Sequence, residues 1–283
     1  MIPARFLVPV ALLLAPAVAA AQDNACPQFF PGGTPPAFVN PRLAQGAVLL
    51  CNDGFAVTAS SVTHGALRSA ERLTWASVEA ARRIPRENRF HPDARLRPEG
   101  RAELADYARS GFDRGHMAPS GDMPTATAQE QSFSLANMVP QAPALNRGTW
   151  ERIESAVRRL ARRRGELYVV TGPAFTGTQV DTIGDNRVLV PTATWKAIFD
   201  PRAQTAGAYL CSNTDRPACQ VLGIDALTEQ VGIDPFPGLP AAAKARLLPL
   251  RLPDADAGGP RYPVQPRREY DSAARQPQEA DKT

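Results

Sequence analysis

The chain has 283 residues, 43% of them hydrophobic and 21% charged, which excludes a disordered polypeptide and allows one large domain or two small ones. The formal charge is +4 and the basic side is lopsided: only Lys196, Lys244 and Lys282 are lysines, against 29 arginines. Arginine grips phosphate in a planar, two-pronged way that lysine cannot. A genome rich in G and C raises Arg, Ala and Pro together, however, so composition by itself names no function.

Residues 1–21 read as a secretory signal peptide. Arg5 is the sole charge, an apolar run follows from Phe6 to Val18, and Ala19-Ala20-Ala21 offers a small-residue cleavage site. The expectation is an exported protein, periplasmic or extracellular, with no membrane span. Four cysteines in an oxidising compartment suggest two disulfides. Of the three pairings, nearness in sequence favours Cys26–Cys51 and Cys211–Cys219 over a zinc site, because neither pair has ligand spacing or a histidine beside it. Val48–Cys51 and Phe55–Val57 read as a hairpin turning at Asn52-Asp53-Gly54. Ala66–Leu73 reads as an extended segment and residues 86–110 mainly as loop. Ala126–Leu135 predicts a helix. Gly148–Arg164 predicts a stronger one, with Trp150, Ile153, Val157, Leu160 and Ala161 on one face and Gly165 as its stop. Leu167–Val170 reads as a buried strand, Val188–Val190 with Thr194–Phe199 as further sheet, and Ala206–Leu210 as another strand. Strands and helices do not alternate regularly, so an α+β fold is expected. The domain is placed at 22–251, before a disordered tail at 252–283.

The chemistry concentrates between Gly111 and Glu154. Arg114 and His116 stand two apart, hence on one face of a strand. Histidine suits a general base near neutral pH, and arginine suits a phosphate oxygen. Alone, such a triplet reads equally as surface strand. Asn146 precedes the strong helix and Glu154 lies on it, each flanking the apolar stripe on a wheel of ~100° per residue. A carboxamide and a carboxylate are hard oxygen donors that suit Mg²⁺. The plainer readings are a helix cap for Asn146 and an i+4 partnership with Arg158 for Glu154.

Taken together, Asp113-Arg114-Gly115-His116, Ser134-Leu135-Ala136-Asn137-Met138 with Pro140-Gln141, Asn146, Trp150 and Glu154 closely resemble the DNA/RNA non-specific endonuclease family, the ββα-metal nucleases that include endonuclease G. The resemblance implies a ββα-metal nuclease fold with a central, mainly antiparallel sheet flanked by helices. It implies His116 as general base, Asn146 as direct Mg²⁺ ligand (Mn²⁺ being an alternative), and Glu154 as holder of metal-bound waters. Asn137 would bond within the site and orient phosphate or base, and Arg114 would bind phosphate. A second phosphate-binding arginine is Arg86 or Arg89. Asp113 would serve the turn through backbone hydrogen bonds. His64 and His91 fall outside the motif. DNA and RNA are the implied substrates, cleaved by water to leave 5′-phosphate and 3′-hydroxyl ends. The oligomeric state, a homodimer included, is left open. The rival functions are a catalytically weak nucleic-acid-binding protein and a secreted nuclease toxin.

Overall fold

The computed structural model describes residues 25–177 and 179–253. The expected leader and the tail from residue 254 onward lie outside the described residues. Seven strands form one sheet: β1 (Ala47–Cys51), β2 (Ala56–Ser60), β3 (Gly65–Thr74), β6 (Glu166–Ala174), β7 (Ala193–Asp200), β8 (Thr205–Ser212) and β9 (Cys219–Leu222). They lie in the order β9-β8-β7-β6-β3-β2-β1, and every neighbour is antiparallel. Two further strands, β4 (Asp113–His116) and β5 (Met138–Gln141), pair only with each other. Four helices matter for the site: α1 (Trp75–Ala81), α2 (Ala126–Ser132), α3 (Glu151–Arg164) and α4 (Ile224–Val231). The α+β expectation holds.

The sheet is covered on both faces. Alternation along β3 sends Ala70 to one face and Ser69, Glu71 and Leu73 to the other. On the first face Ala70, Val170, Trp195, Ala197, Phe199 and Leu210 pack against α4 and against Phe29 and Phe30 of the N-terminal arm. On the second, Leu73, Leu167, Val169 and Ile198 pack against the apolar stripe of α3, and Val57, Ala59 and Ala66 pack against Met117, Ala118 and Val139 of the β4–β5 unit. Gly172 lies where the sheet meets Trp195; a β-carbon there would stand 2.6 Å from the Trp195 ring and from the Leu67 carbonyl.

Two local expectations change. Val188–Leu189 does not join the main sheet. It pairs with Thr182–Ile183 in a separate ribbon, because Pro191 and Thr192 break the chain before β7 begins. The strong helix starts at Glu151, and Leu145–Trp150 forms a widened turn ahead of it in which Gly148 leaves helical geometry (φ −114°, ψ −105°). Such widened turns re-aim side chains and recur at functional sites.

Both disulfides pair as expected. Cys26–Cys51 ties the arm to the end of β1, and Cys211–Cys219 staples a directly opposed pair on β8 and β9. They close loops of 25 and 8 residues. Chain-entropy arithmetic assigns them ~3.5 and ~2.5 kcal/mol respectively. Urea unfolding of Cys26→Ala/Cys51→Ala and of Cys211→Ala/Cys219→Ala should therefore rank the first as the greater loss. The reverse ranking would contradict this account.

Candidate active site

The β4–β5 hairpin and α3 stand over the half of the sheet where polar residues replace the apolar stripe. Asn137, just before β5, is fully buried, and all four of its hydrogen-bond capacities are in use. Its Oδ1 accepts from Ser69 Oγ (2.7 Å) and from the Ala118 N–H (3.0 Å), and its Nδ2 donates to the carbonyls of Ala118 and Ser132 (both 2.9 Å). Ser69 lies on the sheet, Ala118 follows His116 by two residues, and Ser132 ends α2. One amide therefore locks three elements around the histidine. It has no hydrogen-bonding capacity left over.

His116 is 9% exposed, and its Nε2 has no protein partner. Its ring lies between Phe90 (centroids 5.7 Å) and Phe133 (5.0 Å). Two arginines cover the same aromatic rings: Arg114 stands 4.2 Å over Phe90, and Arg86 5.2 Å over Phe133. Burial foremost, then the charges of Arg86 and Arg114, push the imidazole pKa down to about 3. The base is thus neutral and able to accept a proton. Gly115 sits between Arg114 and His116 because Gln141 crosses that point; a β-carbon there would lie 2.4 Å from Gln141 Oε1.

Arg86 and Arg89 differ in position. Backbone bonds from His91 N–H to Phe133 O (3.3 Å) and from Leu135 N–H to His91 O (2.8 Å) fold residues 86–91 over the site. Arg86 then donates to Ser120 Oγ (2.5 Å). Arg89 instead pairs with Glu87 at 2.6 Å, both largely in solvent. The imidazoles of His64 and His91 are engaged by the carbonyls of Asn186 and Arg89.

Asp113 acts differently from the expectation. Its side chain, and not only its backbone, is in use: it accepts from Asn146 Nδ2 (2.9 Å) and pairs with Arg147. The carboxylate takes up the NH₂ end of the Asn146 amide. Asn146 Oδ1 is left without a hydrogen-bond donor among the described residues. A hard oxygen held in one orientation is what a divalent cation needs from a carboxamide. Asn146 is a part of the widened turn and not a helix cap.

Glu154 lies one turn into α3, half-buried, with no hydrogen-bond or ion-pair partner among the described residues. Burial, as the largest cause, raises its pKa to about 7; Lys196 and Arg158 work in the opposite direction. The expected i+4 partnership with Arg158 is not made. Arg158 donates instead to Asp122 (2.8 Å) and to Ser155 (2.8 Å). A second buried group lies beneath: Lys196 donates to Thr171 (2.6 Å), and Glu71 is enclosed with both oxygens unpartnered. Burial and the nearby Asp122 hold Glu71 well above the ordinary carboxylate range. Sequence reasoning missed Glu71, Lys196 and Asp122. Its one available signal was a lysine and a glutamate at inward positions of apolar strands.

The arrangement meets the requirements of a metal-assisted hydrolase. A neutral base has a free nitrogen, two arginines share its aromatic walls, and an oriented amide oxygen and an unpaired carboxylate supply oxygens for a hydrated cation. No cluster of three or more His, Cys, Asp or Glu suited to a metal occurs among the described residues.

Residues 35–242 match the family model for DNA/RNA non-specific endonuclease. Nuclease C1 of Cunninghamella echinulata var. echinulata is 36% identical over 152 residues, 50% of this chain and 60% of that protein. Mitochondrial endonuclease G of Bos taurus is 34% identical over 196 residues, 65% of this chain and 64% of its own length. The chain thus spans less than two thirds of these relatives. A crystal structure of the EndoG/EndoGI complex, described as showing the mechanism of EndoG inhibition, superposes with a TM-score of 0.58 at 25% identity, covering 65% of this chain and 84% of that one. With the DNA/RNA non-specific endonuclease match spanning most of the chain and the site built as above, this chain belongs to that family and has the fold of the ββα-metal nucleases.

Proposed function

We propose that this protein is an exported, Mg²⁺-dependent endonuclease that hydrolyses phosphodiester bonds in both DNA and RNA, leaving 5′-phosphate and 3′-hydroxyl ends. The observation that carries the reading is the unpartnered Nε2 of a buried, neutral His116 beside Arg86 and Arg114. Two disulfides support an oxidising compartment.

The phosphodiester lies between Arg86 and Arg114, whose guanidiniums hold its non-bridging oxygens. His116 Nε2 takes a proton from a water aligned with phosphorus, and the hydroxide attacks as the bond to the 3′ oxygen breaks. The substrate's negative charge offsets the two arginine charges that weaken the imidazole as a base, so His116 gains proton affinity as substrate arrives. Asn146 Oδ1 is the direct ligand for the cation, with Glu154 holding its waters. When bound there, Mg²⁺ supplies charge stabilisation at a phosphate oxygen and at the departing oxygen. Because water attacks and not a ribose hydroxyl, the sugar is indifferent. Contacts mainly to phosphate make cleavage weakly sequence-specific and salt-sensitive.

Supercoiled plasmid and single-stranded RNA, incubated with Mg²⁺ or with chelator, test this reading. Both substrates should be cut only with Mg²⁺, and His116→Ala should lose roughly 10²–10⁴-fold in turnover. Equal activity of wild type and His116→Ala would overturn the assignment. Asp113→Asn, which weakens the hold on the Asn146 amide, should raise the Mg²⁺ concentration needed for half-maximal rate. Asn146→Ala should raise it further or abolish cleavage, whereas Arg97→Ala on the surface should do neither.

Glu154 generates a stability prediction of definite sign. Its folded-state pKa, about 7, exceeds the ordinary value of 4.5. The folded protein therefore holds the extra proton between those values and loses stability as pH rises through them. In chelator, Glu154→Gln should gain melting temperature relative to wild type as pH rises from 5 to 8, a difference from which the opposite, His116-linked trend cancels, and should melt higher at pH 8. A Gln variant no more stable than wild type at pH 8 would show that burial does not strain this carboxylate.

A further inference from the structure

The protein has three tryptophans. Trp150 and Trp195 are enclosed, at 1% and 0% exposure, but Trp75 is 56% exposed. An indole in water forfeits the burial that makes tryptophan useful in a core. Its neighbours give it a use. Trp75 opens α1, and its N–H donates to Gly165 O at the end of α3 (2.9 Å). The two helices therefore run antiparallel, and the far end of α1 leads directly into the loop that carries Arg86.

At ~100° per residue, Trp75 and Glu79 fall about 40° apart on α1, beside the buried stripe of Val78 and Ala81, and Arg82 and Arg83 follow in the turn that ends the helix. Arg162 of α3 joins this flank, bonding Glu79 at 2.5 Å, while Arg82 approaches the same carboxylate at 3.3 Å. Glu79 is thus held between two arginines, and cations outnumber it. Trp75 to Ala81 spans about 9 Å at ~1.5 Å per residue, and Arg82, Arg83 and Arg86 follow in the segment after the helix. The flank is a basic track running out of the candidate active site, with one exposed aromatic plane at its far end.

We propose that this flank of α1 with Arg162 is an accessory binding surface for single-stranded nucleic acid, in which an unpaired base stacks on Trp75 and Arg82, Arg83 and Arg162 neutralise the phosphates leading to the site. The proposal rests on the nuclease reading for its occupant. The chemistry selects single strands: a duplex keeps its bases stacked on one another and offers no free face, whereas a single strand exposes one at each nucleotide. A strand of a few nucleotides reaches Trp75 while its scissile phosphate lies between Arg86 and Arg114. A dinucleotide does not.

The test begins without catalysis. In chelator, a twelve-nucleotide oligothymidylate should quench the tryptophan emission, since Trp75 alone of the three is accessible. By anisotropy of a labelled strand, Trp75→Ala should bind the same oligonucleotide about tenfold more weakly, within the range expected for one stacked base. Trp75→Phe should recover most of the loss, and duplex affinity should not change. Arg82→Ala with Arg83→Ala should lower the slope of log affinity against log salt by about 1.4. With Mg²⁺, Trp75→Ala should raise KM for a long single strand, keep kcat, and cut a dinucleotide as wild type does. Emission that ignores the oligonucleotide, including the case in which another segment of the chain covers Trp75, overturns the proposal. So does wild-type affinity in Trp75→Ala. The two readings fail separately. Cleavage of plasmid without quenching sinks the accessory surface alone, whereas quenching by a protein that cuts nothing sinks the nuclease reading and leaves the surface standing.

Discussion

The four hydrogen bonds of Asn137 are the constraint on which the site depends. A buried amide is stable only when its donors and acceptors are met, and an unmet one costs ~1–3 kcal/mol. Here the partners come from the sheet, from the loop after His116 and from the end of α2. None can shift without stranding the amide. The histidine strand is therefore registered against the sheet by polarity, where apolar packing alone would tolerate sliding. The neighbouring inward positions, Thr171, Lys196 and Glu71, continue this polar patch beneath α3.

Placed in that frame, His116 is shaped by what surrounds it. Phe90 and Phe133 remove water from the ring, and Arg86 and Arg114 add positive charge beside it. Both effects disfavour the imidazolium. Glu154 is the complementary case, a carboxylate kept out of ion pairs even though arginine is close. Arg158 is drawn off by Asp122, which leaves Glu154 available. In both groups burial favours the neutral form.

The ββα unit owes its geometry to two irregularities. Gly115 lets Gln141 cross β4 between the arginine and the histidine, and the widened turn at Leu145–Trp150 sets the angle of Asn146 ahead of α3. Asp113 joins these parts, because it lies on the histidine's own strand and takes the NH₂ end of the Asn146 amide. His116 and the residue that orients the Asn146 amide thus stand three apart in one short strand.

Much of this was legible in the chain alone. The period of α3, the stop at Gly165, the disulfide pairs near in sequence, and the linked set from Asp113 to Glu154 are local signals, set by spacing and residue type. Whatever depends on a partner distant in sequence was not legible. Arg86 and Arg89 are equivalent as letters; only the backbone bonds of residues 91 and 133–135 turn one inward and leave the other in solvent. Asn137 read as bonding within the site to orient phosphate or base, but its four partners, contributed by three elements, came only with the fold. Val188–Leu189 has strand-forming residues, yet its pairing was decided by Thr182–Ile183 and the break at Pro191. Glu154 and Arg158 have the spacing of an ion pair, but Asp122, 36 residues from Arg158, is the partner the fold supplies. Sequence determined which chemical groups the protein brings to its site. Tertiary structure decided which of them remain unpaired, because the pairing of a polar group depends on everything that competes for it in space.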